Sequence, residues 1–146
     1  MPQFNESYCL AILLTNLKKR KRYPDSITVA DCAKYLFEAY GSTKQVAQMV
    51  GVSESVIRKW VNLADAPKVL RQYVKEGRIY PVAAFTILSA FGDTSKVIAV
   101  TEEVVDWGEP EIVRLIHCIK RNPGLSIKQC INLLYTDTMD ELLQHN

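Results

Sequence analysis

Residues 42–61, STKQVAQMVGVSESVIRKWV, bring together the side chains in this chain best suited to reading a polar surface. In the second half of the stretch and just beyond its end, Ser53, Glu54, Ser55, Arg58, Lys59 and Asn62 recur on one side at helical spacing. All are short or polar and none is bulky and apolar. Arg58 and Lys59 can donate to phosphate or to guanine O6/N7, Ser55 can contact any base edge, and Asn62, further along, can reach a phosphate. Glu54 is the awkward member. An acid repels phosphate, yet it suits the positive end of a helix dipole and, inside a groove, can accept from a cytosine amino group; the dipole role is the expected one. Thr43, in the first turn of the preceding helix, completes the set expected to face DNA.

Such side chains read a duplex only if two short helices are held at a steep angle by a tight turn. Close crossing near the middle of the first helix needs a small residue, and Ala47 is there; the turn four places later needs tolerance of positive φ, and Gly51 supplies it. The inner faces need apolar residues, provided by Val46, Val50, Val52, Ile57 and Trp60. The pattern is that of a helix-turn-helix. Helical corners joined by glycine also occur in proteins that bind no DNA.

A second feature suits a polyanion. Lys18, Lys19, Arg20, Lys21 and Arg22 form an unbroken basic run, able to neutralise several phosphates and to make binding steeply salt-dependent. The plainer reading is a helix C-terminus in water, where cations are favoured in any case. Residues 1–92 hold thirteen Lys/Arg against seven Asp/Glu, and residues 93–146 five against nine. A basic front and an acidic rear are what partial contact with a polyanion predicts.

The 146 residues are enough for one domain with its own hydrophobic core. The apolar run YCLAILL at 8–14 is too short to cross a bilayer and is followed, not preceded, by the basic cluster, so it reads as a helix rather than a signal peptide. No membrane partner is expected. Cys9, Cys32, Cys118 and Cys130 are widely spaced, with no CxxC pair, which suits free thiols in a reducing cytosol and argues against zinc held with His117. The two histidines are remote, and neither a glycine-rich phosphate loop nor a nucleophile–base pattern stands out. Neither enzymatic activity nor a metal or other cofactor is expected.

Apolar residues recur at three and four spacings throughout, which predicts an all-α chain. A first helix is expected over Ser7–Arg20, with Leu10, Leu13, Leu14 and Leu17 on one face. TVAD places a second from an N-cap at Thr28 to Tyr40, stopped by Gly41. The capping box STKQ starts a third, reaching Val50, and Ser53 caps a fourth, reaching Leu63. Further helices are expected after Pro67 up to Gly77, over Pro81–Phe91, and over 94–106, 109–121 and 126–135, with fraying after Asp137.

Residues 47–91, AQMVGVSESVIRKWVNLADAPKVLRQYVKEGRIYPVAAFTILSAF, resemble the DNA-binding central domain of the ParB/KorB partition-protein family. The residues that carry the likeness are Ala47, Gly51, Ser53, Val56, Leu63, Pro67, Val69, Val74, Gly77, Ile79, Ala83 and Leu88. With the upstream FEAYGSTKQVA, the likeness spans about residues 28–92. It implies a multi-helix domain containing a helix-turn-helix, with the recognition helix at Ser53–Leu63. It also implies DNA support from the following helices, where Lys68, Arg71, Lys75 and Arg78 are the candidates and Arg71 with Lys75 the better pair. The segment before Thr28 is too short for the family's nucleotide-binding domain, so CTP chemistry is not carried over. Nor does the acidic end look like the family's dimerising tail.

Three segments are expected: residues 1–27, an N-terminal helix and basic segment; 28–92, the DNA-binding domain; and 93–146, a helical extension packed on it. The expected function is sequence-specific binding of double-stranded DNA, as a transcriptional regulator or partition-type adaptor in the cytoplasm, associated with the nucleoid. A homodimer is the natural arrangement, since one short recognition helix discriminates poorly alone. The alternative is a helical protein-interaction module that has lost DNA binding, supported by the acidic group Glu102, Glu103, Asp106, Glu109 and Glu111 near Trp107.

Overall fold

The computed structural model describes residues 4–18 and 25–144, and among them it contains nine α-helices and no strand. Most helix starts follow local capping chemistry. The Asn5 side chain accepts from the Tyr8 amide at 2.8 Å and opens α1 (Glu6–Leu13), which passes directly into a π-helical turn at Leu14–Lys18. The single helix expected over Ser7–Arg20 is therefore divided, and Lys19–Arg22 lie outside the described residues. α2 (Ser26–Tyr40) begins earlier than the TVAD pattern predicts. Its cap is Asp25, whose Oδ1 accepts from the amides of Ile27 and Thr28 at 2.9 and 3.0 Å while Oδ2 accepts from the Thr28 hydroxyl. A carboxylate taking two amides and a hydroxyl outcompetes the threonine for the same orphan donors.

Gly41 ends α2 in the left-handed region, and Ser42 caps α3 (Thr43–Val50) by accepting from the Gln45 amide. Gly51 then turns the chain at φ 83°, its N–H and that of Val52 both bonding to Ala47 O, before Ser53 caps α4 (Glu54–Ala64). The rest is α5 (Lys68–Lys75), α6 (Pro81–Ala90), α7 (Thr94–Val104), α8 (Glu109–Arg121) and α9 (Ile127–Gln144). At the start of α9 the reciprocal capping box forms in full: Gln129 N–H donates to Ser126 Oγ and Ser126 N–H to Gln129 Oε1. α9 does not stop near 135. Residues 125–146 contain neither Gly nor Pro, so a helix nucleated at Ser126 has nothing local to end it.

Two apolar clusters hold the helices together. The front cluster joins α1 to α4 through Cys9, Leu13, Leu36, Val46, Val50 and Ile57. The rear cluster joins α5 to α9 and borrows Ile27 and Ala30 from α2 and Leu63 from α4. Trp60 packs against both and meets Phe85 edge to face, with ring centroids 5.1 Å apart. α2 and α4 therefore serve both cores and fix α3 and the front of α4 to a rigid base.

Candidate nucleic-acid interface

α3, the Gly51 turn and α4 divide their residues cleanly between inside and outside. Val46, Val50 and Ile57 are buried, Val52 and Trp60 half-buried, and Ala47 is only 4% exposed where α3 packs on the core. Ser53, Glu54, Ser55, Arg58, Lys59 and Asn62 are all exposed. The alternation follows from the 3.6-residue period: apolar groups at 57, 60, 61 and 64 face the core, which turns 54, 55, 58, 59 and 62 outward.

Four of the outward residues, Ser53, Glu54, Ser55 and Arg58, also bond within the protein itself. Ser53 Oγ accepts from the Val56 amide at 3.4 Å and lies 3.1 Å from Ser55 Oγ, so its first role is capping. Glu54 accepts from Thr43 Oγ1 at 2.8 Å and from Arg58 Nη2 at 2.9 Å. That triad ties the first turn of α3 to the first turn of α4 and sets the two helix N-termini side by side. The Thr43 hydrogen bond, with the charges of Arg58 and Lys44, holds the Glu54 carboxyl below its usual range, so it is ionised at neutral pH. Lys59 and Asn62 make no hydrogen bond or ion pair to another described residue, and both border a groove of about 330 Å³ between α4 and α6.

Lys18 closes the other edge. Its Nζ donates to the Gly51 carbonyl at 3.1 Å, so the basic run begins against the turn between the two helices. Lys44, exposed in the first turn of α3, was not among the expected site residues. In the sequence it stands inside a capping box, where its neighbours explain the motif and the lysine attracts no notice; only the folded chain brings its charge near Glu54.

Comparison of the chain with protein-family models, curated proteins and solved structures gives no match.

The cations of the later helices are placed differently from one another. Arg71 forks onto both oxygens of Asp31, Nη1 to Oδ1 at 2.8 Å and Nη2 to Oδ2 at 3.1 Å, and Nη1 also donates to Ala64 O at 2.7 Å. It thereby locks α5 to α2 and to the end of α4, and its donors face protein. Arg78 pairs in the same way with Asp106, at 2.8 and 3.1 Å, and lies over the Tyr73 ring. Lys68 and Lys75 are exposed and carry no acid partner among the described residues. The acids nearest the helix pair are largely answered from within: Asp31 by Arg71, Asp65 by Lys34 and Glu54 by Arg58. Lys18, Lys44 and Lys59 keep their charge for solvent or a ligand.

Among the described residues no group of three His, Cys, Asp or Glu side chains could hold a metal ion, and no helix is long and apolar enough to cross a membrane. Cys9 and Cys32 are buried together in the front core, and burial pushes both thiols up from their ordinary pKa.

Proposed function

We propose that this protein binds double-stranded DNA sequence-specifically, using α3, Gly51 and α4 as a helix-turn-helix whose second helix enters the major groove. One observation carries the reading: Ser55 and Lys59 project from α4 into solvent while Ala47 is closed off on the buried face of α3. In this reading Lys18, Lys44 and Lys59 supply affinity through phosphate, and Ser55, Arg58 and Lys59 supply selectivity at base edges. The likeness of residues 47–91 to the ParB/KorB central domain supports it and suggests a regulator or partition-type adaptor that works as a dimer on paired half-sites.

The test is a titration against duplex DNA at two salt concentrations, repeated with Arg58 and Lys59 both changed to alanine. The double variant loses roughly 1–3 kcal/mol per base contact removed. Equal affinity for the two proteins removes the assigned face. No binding by either favours the second reading, a protein-interaction module. That reading has its own support: a groove of about 440 Å³ where Trp107, Ile131, Leu134 and Tyr135 meet Glu111 and Arg114.

A further inference from the structure

We infer that Glu54 reads a base, selecting cytosine through its amino group, and that Thr43 and Arg58 position it to do so; the inference rests on the duplex-binding reading above. Both protein donors converge on a single oxygen, since Thr43 Oγ1 and Arg58 Nη2 each donate to Oε1. Among the described residues nothing donates to Oε2. The side chain is 44% exposed at the first position of α4, the end of a recognition helix that meets base edges in such folds.

A carboxylate anchored by one oxygen from two helices has already lost its rotamer freedom, and it offers the other oxygen in a fixed direction. That oxygen is an acceptor only. The major groove presents two kinds of amino donor, cytosine N4 and adenine N6. Adenine sets its N7 acceptor beside the amino group, which repels a second electron-rich atom, whereas cytosine at its edge offers the donor alone. The fixed charge also opposes phosphate, so a misplaced duplex is disfavoured at the same point. Arg58 gives only Nη2 to Glu54, and its remaining donors stay available for a neighbouring guanine. Glu54 therefore does more than complement the helix dipole.

The experiment is selection from random duplex DNA with the wild type, E54Q and T43V, each checked for folding by circular dichroism, followed by titration of the enriched sites. The wild type should enrich a site with a fixed cytosine. E54Q should lose that preference by about tenfold and accept adenine, which a glutamine amide pairs, with the other positions unchanged. T43V should keep cytosine but discriminate several-fold less. Should E54Q fold poorly, E54A serves instead and should lose the cytosine preference without gaining another. The same consensus and the same base ratios from wild type and from the Glu54 variant overturn the inference while leaving DNA binding intact. No enriched sequence from the wild type overturns the DNA reading itself, and this inference with it.

Discussion

Lys18 Nζ donates to the carbonyl oxygen of Gly51 at 3.1 Å, across 33 residues of sequence, and an added Cβ on Gly51 would lie 3.3 Å from the same nitrogen. The turn between α3 and α4 is thus constrained twice, by a left-handed backbone at φ 83° and by a lysine folded over it. The two constraints differ in stiffness. A lysine tip moves aside easily, whereas the backbone angle is set by the crossing of α3 and α4. Gly51→Ala should lower unfolding free energy by about 1–2 kcal/mol, the usual cost of a side chain in the left-handed region. Urea denaturation with an unchanged slope is the check. K18A/G51A should retain nearly the whole loss; full recovery in the double variant would put the cost in the lysine contact instead.

Arg71 should behave as a structural residue. R71A leaves Asp31 without its cation and Ala64 O without its donor, and should destabilise by about 1–3 kcal/mol, as loss of hydrogen bonds to a charged group does. R71K should restore little, because an ammonium cannot span both carboxylate oxygens and the carbonyl together. DNA affinity per folded molecule should stay as in the wild type. A fall in affinity with unchanged stability would return Arg71 to the interface.

Acid should weaken the fold partly through Glu54 and Asp106. The Thr43 hydroxyl holds the Glu54 carboxyl below its ordinary range, and the Arg78 guanidinium does the same to Asp106. Both native pKa values lie below the unfolded ones, so the unfolded chain binds more protons between them. Their stabilisation is present above the ordinary carboxylate range and is lost as pH falls below about 4, through the native values. E54Q and D106N should therefore each flatten the acid side of the stability–pH curve. Asn also tolerates the positive φ of 68° at position 106, so D106N tests charge rather than backbone. An unchanged acid limb in both variants would contradict the pairing.

Thr101 is fully buried in α7, and its hydroxyl has no hydrogen-bond partner among the described residues. Thr101→Val keeps the shape and removes a polar group that water can no longer reach. Thermal unfolding should show no loss and a gain of up to about 1 kcal/mol. A loss of that size would reveal a partner for the hydroxyl.

Most of what depends on residues within one turn of each other was legible in the sequence alone. Ser42 and Ser53 cap their helices, Gly41 and Gly51 end theirs, and the outward set from Ser53 to Asn62 emerges on one side, because caps and amphipathic periods are decided by neighbours three or four positions away. Even locally the strongest acceptor wins: Asp25 takes the cap from Thr28, a competition the TVAD pattern does not register. Tertiary structure alone decided the longer pairings. Arg71 meets Asp31 across 40 residues, Lys18 reaches Gly51 across 33, and Thr43 finds Glu54 across 11. A side-chain type and its period say which face a residue occupies. Which acid answers which cation depends on how α2, α3 and α4 cross, and that follows from packing both cores around the shared helices α2 and α4. Hence the chemistry of each candidate could be named from the sequence, whereas the division between cations bound within the protein and those left free needed the fold.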